Sequence, residues 1–239
     1  DVTVLEMAPR VLARVVDPIL SKFYTKAHTE AGVKIETGVT VSGFEGSNGK
    51  IEKIDCGDGK TFDADFAIVG VGIIPNVELA DEAGLKVENG IAVDELCRTE
   101  DPDIYAIGDC TNHPNPILGT RLRLESVHNA LEQGKTAAAS ICGKEKPYAQ
   151  VPWFWSDQYD LKLQIVGLSA GYDEVVVRGD PENERSFAVF YLKDGVMIAS
   201  DAVNRAPEHM MSRRLIAAKA KIPAAKLADE SINMKDMAE

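Results

Sequence analysis

Two carboxylates, Asp109 and Glu6, stand where ligand chemistry is possible. Asp109 follows Gly108 at the end of Ile104-Tyr105-Ala106-Ile107, an apolar run that reads as a short buried strand. Glycine leaves room for a ligand to approach the backbone, and open α/β sheets bind ligands outside the carboxyl ends of their strands. Downstream, Ser126-Val127 opens a helical stretch that runs to Cys142 and stops at Gly143. A helix start aims free N–H groups at an anionic or carbonyl-bearing ligand. Glu6 ends the strand-like run Val2-Thr3-Val4-Leu5, where a dinucleotide-binding βαβ unit carries the acid that accepts hydrogen bonds from the adenosine ribose. Each feature also has an ordinary account: a core strand with a capping aspartate, or a solvated strand end. On residues 104–109 alone the ordinary account is the better one.

The chain has 239 residues, room for one large domain or two small ones, and a net charge of −12. So acidic a surface argues against nucleic acid and anionic membranes as main partners. The longest apolar run, Phe66 to Pro75, is too short to span a bilayer. No secretory signal is visible. Four cysteines at 56, 97, 110 and 142 are not spaced as CxxC and have no histidine cluster beside them. No metal site is therefore assigned, and free thiols in a reducing, cytoplasmic setting are the expectation.

These residues must be positioned by elements that the sequence also marks. Asp17-Pro18 caps and opens a helix with Ile19, Leu20, Phe23, Tyr24 and Ala27 at helical spacing, ending at Gly32. Val33–Glu36 reads as a strand. Val39–Glu45 and Lys50–Cys56 read as a hairpin around Gly46-Ser47-Asn48-Gly49, with Lys60–Phe62 as a third strand. Phe66 to Gly72 is almost wholly apolar, the pattern of a buried parallel strand. Val77–Ala83 is a short helix and Ile91–Val93 a strand, and His113-Pro114 falls in the loop after Asp109. Beyond a charged linker, Lys144–Val151, the composition changes. Trp153-Phe154-Trp155 leads into four runs, 161–168, 173–178, 186–192 and 196–203, at the spacing of an antiparallel sheet. Pro207 opens a helix through Lys219, with Met210, Met211, Leu215 and Ile216 placed on one face.

Four stretches, in this order, resemble FAD-dependent, NADH-dependent ferredoxin reductases of the putidaredoxin reductase and rubredoxin reductase type. They are Val4-Leu5-Glu6 with Pro9-Arg10, Val69-Gly70-Val71-Gly72-Ile73-Ile74-Pro75-Asn76, Ile104 to Asp109, and Pro152-Trp153-Phe154-Trp155-Ser156-Asp157-Gln158-Tyr159. Val166-Gly167-Leu168-Ser169 and Val203-Asn204-Arg205 follow. The resemblance runs nearly to Pro223. It implies an α/β fold: part of a Rossmann-like flavoprotein with two dinucleotide-binding domains, plus a C-terminal α+β reductase domain. The implied boundaries are 1–73 for the second part of the NADH-binding domain, 74–148 for the C-terminal part of the FAD-binding domain, and 149–239 for the reductase domain.

The resemblance also implies roles. Gly108, Asp109, Ser126 and Val127 would hold FAD, Asp109 at the ribityl chain and the Val127 N–H at the flavin pyrimidine carbonyl. Trp155 would sit near the isoalloxazine, where electrons leave. Glu6, Arg14 and Gly72 would line the NADH site, and Glu125 would meet the nicotinamide carboxamide. The implied activity passes electrons from NADH through FAD to a small iron–sulfur protein, a [2Fe-2S] ferredoxin or a rubredoxin, serving an oxygenase or cytochrome P450. Neither GxGxxG loop of such a reductase occurs here, and the chain opens at Asp1 directly on a strand. The expectation is a fragment or missing N-terminal half, inactive alone. Strands Val2–Leu5 and Phe66–Val71 would then either close up on each other, exchange with a copy, or be filled by another chain. The competing accounts are an inert stable remnant and a pyridine-nucleotide disulfide reductase relative.

Overall fold

The computed structural model describes residues 1–237. It divides into two compact units, Asp1–Gly72 and the chain from Ile73 onward. In the first, β1 (Thr3–Glu6) pairs in parallel with β2 (Lys34–Thr37) across the crossover helix α1 (Pro18–Glu30). The helix starts where the sequence says, because Asp17 Oδ1 accepts from Ile19 N at 2.8 Å and Pro18 needs no partner for an N–H it lacks. Leu20, Phe23, Tyr24 and Ala27 are its buried face. β3 (Val41–Ser47), β4 (Lys50–Cys56) and β5 (Thr61–Asp63) form an antiparallel meander. Asn48 and Gly49 both take positive φ in the β3–β4 turn, which suits an Asn-Gly pair.

Phe66 to Gly72 is not the buried strand expected from its composition. It pairs with nothing in the described chain, and Phe66, Ile68, Val69 and Val71 are exposed. An apolar run becomes a strand only when a neighbouring backbone takes its N–H and C=O groups, and β1, the strand expected near it, pairs with β2 alone. The two strands do not close up on each other.

In the second unit, α2 (Glu78–Glu82) precedes a small sheet of β6 (Ile91–Ala92), β7 (Thr111–Asn115) and β8 (Thr120–Leu122). The run Ile104–Ile107 is likewise not a buried strand. Only Tyr105 makes a single bridge, to Arg98, and Ile104 and Ile107 are exposed; Gly108–Cys110 is one 3₁₀ turn. His113-Pro114 lies in β7 rather than in a loop, with His113 buried. That hairpin is hard to read because Thr111-Asn112-His113-Pro114-Asn115 is polar. Two carbonyls there are matched locally, since Arg121 donates to those of Val93 (2.9 Å) and Asn112 (2.6 Å). α3 (Val127–Ile141) starts at Ser126, whose Oγ accepts from Asn129 N at 3.1 Å.

The remainder is a five-stranded antiparallel sheet in the order β11-β12-β13-β10-β9, made of β9 (Trp153–Gln158), β10 (Leu161–Gly167), β11 (Glu174–Arg178), β12 (Phe187–Lys193) and β13 (Val196–Val203). α4 (Ala206–Ala217) packs on β13 and β10 through Met211, Leu215 and Ile216, and Met210 points outward instead. The spacing explains this, since 211, 215 and 216 share a face that 210 leaves. After α5 (Ala224–Ala228), the chain is held by the buried Arg178. Its guanidinium bonds Glu208 and the carbonyls of Leu227, Asp229 and Ile232. Among the described residues no helix is long and apolar enough to cross a membrane, and no cluster of His, Cys, Asp or Glu could hold a metal.

Candidate functional site

The centre is the turn at Gly108. Gly108 takes φ +82°, a conformation that favours glycine, and its N–H donates to Gln133 Oε1 at 2.6 Å. Thr111 Oγ1 lies 3.0 Å from the same oxygen and 2.8 Å from the Gly108 carbonyl oxygen, and its single proton is shared between the two acceptors. Gln133 is fully buried on α3, so the turn is fastened to that helix by one amide. A Cβ on Gly108 would come within 3.7 Å of Ala130 Cβ, an ordinary packing distance. The turn therefore presents Asp109 outward, and Asp109 is exposed. With Cys110 and the stretch Ile73-Ile74-Pro75-Asn76 it lines an open cavity of about 350 Å³. Ile73 and Ile74 are exposed there, so the wall is apolar and the carboxylate is its charged group.

The residues at the start of α3 surround a second feature. Val127, the first helical residue, is exposed, whereas His128 behind it is buried. His128 stands edge-on to Trp153 at 5.3 Å. The Trp153 ring lies 5.1 Å from that of Trp155 and 5.4 Å from that of His209, and the Arg213 guanidinium sits over Trp153 at 5.3 Å. Trp153 Nε1 donates to Gln164 Oε1 at 2.9 Å, which fixes the ring. Trp155 remains 41% exposed. The pair thus forms an aromatic path from the α3 start to the surface. Burial, with Arg213 beside them, pushes both imidazoles down, His209 to about 4, so both are neutral near pH 7.

Glu125 is exposed and pairs with Arg123 at 2.9 Å. In the first unit, Glu6 Oε1 accepts from Ala8 N at 2.7 Å at the end of β1. Arg14 is exposed, and its Nη1 lies 3.8 Å from where a Cβ on Gly72 would stand. Gly72 itself has φ +106°. Arg14 and Gly72 are therefore together. Arg10 is not available to a ligand, because its guanidinium bonds the carbonyls of Ala13 and Val16 and the hydroxyl of Ser21. The sequence reading missed Gln133, His128 and Arg123. Gln133 had a signal, since Asn129, Gln133 and Thr136 are polar residues on one helix face.

Two family models match the chain. One, described as pyridine nucleotide-disulphide oxidoreductase, covers residues 1–134; the other, described as reductase C-terminal, covers 153–238. Putidaredoxin reductase of Pseudomonas putida is 45% identical over 238 residues, 99% of this chain and 56% of that protein. The solved ferredoxin reductase of the CYP199A2 system from Rhodopseudomonas palustris has a TM-score of 0.95 at 43% identity, covering 99% of this chain and 58% of that one. Putidaredoxin reductase in its covalent complex with putidaredoxin has a TM-score of 0.93 at 45% identity, covering 98% and 57%. The chain spans little more than half the length of these relatives. The fold is α/β, a partial Rossmann-like flavoprotein with a C-terminal α+β domain. The chain belongs to the pyridine nucleotide-disulphide oxidoreductase family, as a C-terminal portion of its putidaredoxin and ferredoxin reductase branch.

Proposed function

We propose that the protein, at its encoded length, is an FAD-dependent NADH:ferredoxin oxidoreductase. Its electron acceptor would be a small [2Fe-2S] ferredoxin or a rubredoxin that feeds an oxygenase or a cytochrome P450. Residues 1–73 would belong to the NADH-binding domain, 74–148 to the FAD-binding domain and 149–239 to the reductase domain. The observation that carries this reading is the Gly108–Asp109 turn, bonded through Gln133 to the helix that begins at Val127 and opening on an apolar cavity. These residues fit a flavin: an exposed carboxylate for ribityl hydroxyls, a capped helix start for a ring carbonyl, and apolar walls for a flat ring.

Bound FAD supplies the capacity to accept two electrons as hydride and to release them singly. Everything else falls to the chain's own groups. Gly108 and Asp109 hold and orient the ribityl chain. Val127, behind the Ser126 cap, places a helix N-terminus where negative charge develops. Glu125 orients the nicotinamide carboxamide. Glu6, Arg14 and Gly72 bind the adenosine side of NADH, and Trp155 lies at the exit. The relatives are named for ferredoxin-type partners, and the complex with putidaredoxin supports the same class of acceptor. The four cysteines are free, which supports a reducing, cytoplasmic setting.

The test is reconstitution with FAD followed by anaerobic addition of NADH. Bleaching of the flavin absorbance by one equivalent of NADH, and reoxidation on adding a ferredoxin, is the expected result. A protein that takes up no flavin, or whose flavin NADH cannot bleach, would sink the proposal. The 239-residue chain by itself is expected not to retain FAD, since it contributes no GxGxxG loop to the pyrophosphate. Losing several charge-assisted bonds of about 1.5–3 kcal/mol each is enough to abolish tight binding. A yellow, flavin-saturated preparation of these 239 residues alone would refute that expectation.

A further inference from the structure

One arginine ties the two parts of the candidate site together. Arg123 directly follows β8, and its guanidinium sends a different nitrogen to each of three segments. Nη1 donates to the Asp109 carbonyl at 3.1 Å, Nε donates to Asn89 Oδ1 at 3.2 Å, and Nη2 lies 2.9 Å from Glu125 Oε1. The side chain is only 14% exposed. Its stem runs along Gly90, where a Cβ would stand 2.7 Å from the Cys110 carbonyl oxygen and 3.0 Å from Arg123 Cδ. Only glycine lets the 89–90 turn close on both. Leu124, between Arg123 and Glu125, has its carbonyl held by Asn129 Nδ2 of α3 at 3.3 Å.

A guanidinium is planar, permanently charged and carries five donors in a fixed fork. Three acceptors on one fork cannot move independently. Gln133 fixes the turn on one side, through Gly108 N and Thr111, and Arg123 fixes it on the other, through the Asp109 carbonyl. The same arginine sets the direction of the Glu125 carboxylate. We propose that Arg123 is a positioning residue, which holds the Asp109 turn and the Glu125 carboxylate in one fixed relation. This rests on the proposed function only in naming Asp109 as the flavin side and Glu125 as the nicotinamide side.

Two measurements on the protein at its encoded length decide it. The first is amide hydrogen exchange in R123Q and R123K. Exchange should speed up by about tenfold or more in segments 88–93 and 107–111, and stay unchanged in α4 and the five-stranded sheet. Unchanged protection at both segments overturns the proposal, whether or not flavin binds. The second is rapid-reaction reduction of bound flavin by NADH. The limiting rate per flavin should fall about tenfold in R123Q, with the NADH saturation constant within about twofold, because orientation rather than binding is lost. E125Q should lose a similar factor, and R123Q/E125Q no more than either alone. Additive losses, or full recovery by lysine in R123K, overturn the positioning role. A wild-type protein whose flavin NADH does not reduce would defeat the proposed function instead, and the exchange result would then decide the arginine's role alone.

Discussion

Under the proposed function, Glu6 is the residue on which cofactor choice would turn. Its carboxylate ends β1 and accepts from Ala8 N, so it is held in place rather than free to swing away. A carboxylate there repels a 2′-phosphate. Arg10, the nearby cation that could have neutralised it, spends its guanidinium on Ala13, Val16 and Ser21. The protein is expected to prefer NADH to NADPH in kcat/KM, and E6Q to narrow the gap; equal values for the two cofactors in the wild type would contradict this. His113 makes a second prediction. It is 1% exposed, neither ring nitrogen has a hydrogen-bond partner among the described residues, and burial with Arg121 nearby pushes its pKa down to about 4. The unfolded value is about 6.5, so the folded state binds fewer protons in between. Stability from this group is full above about pH 6.5 and is lost as pH falls towards 4, on the order of 3 kcal/mol in all. Urea midpoints at pH 7 and pH 5 check it: H113L should lose less between the two than the wild type, and an equal loss would remove His113 as the cause.

At the scale of elements, what was readable was what is local. Asp17-Pro18 and Ser126 mark helix starts because a cap is satisfied within three residues, and both helices begin there. The Asn48-Gly49 turn is local for the same reason. Phe66–Gly72 and Ile104–Ile107 were misread because strand formation depends on distant backbone, and neither finds a ladder partner among the described residues. The site followed the same division. Asp109, Glu125 and Trp155 were visible as types at particular places, while Gln133 and Arg123 act through contacts 25 and 14 residues away. The Ser126 cap gives a direct prediction. Ser126→Ala removes the acceptor for Asn129 N and should cost about 1 kcal/mol, with Ser126→Asp nearly neutral. In the sheet, Phe190 is fully buried in the C-terminal core, and Phe190→Ala should cost about 3–5 kcal/mol. Chemical denaturation orders the two, and a Ser126→Ala loss as large as that of Phe190→Ala would mean the cap supports far more than one helix end.

For the whole molecule, the proposed function raises the question of how a chain of net charge −12 would meet an iron–sulfur partner that is itself acidic. The stretch from Arg205 to Lys226 is basic in sequence, but the structure trims what it offers. Arg205 bonds Glu230, and Arg213 lies over Trp153. Lys135, further back on α3, pairs with Glu132. Arg214 and Lys219 are exposed and have no ion pair among the described residues. Arg214 follows Arg213 on α4, the helix whose His209 and Arg213 flank the Trp153–Trp155 pair. It is an exposed cation without an ion pair among the described residues, on the helix that brings His209 and Arg213 to Trp153. Complementary charge acts on encounter more than on affinity, and its reach is about 10 Å at 0.1 M salt. R214E should slow ferredoxin reduction by about three- to tenfold at low ionic strength, with the difference shrinking as salt is added. K135E should do less, because Lys135 is already neutralised by its neighbour. Reduction of the flavin by NADH should be the same in both variants and the wild type. If R214E reduces ferredoxin at the wild-type rate in low salt, the partner approaches by another face, and the basic stretch is only a solvated helix surface.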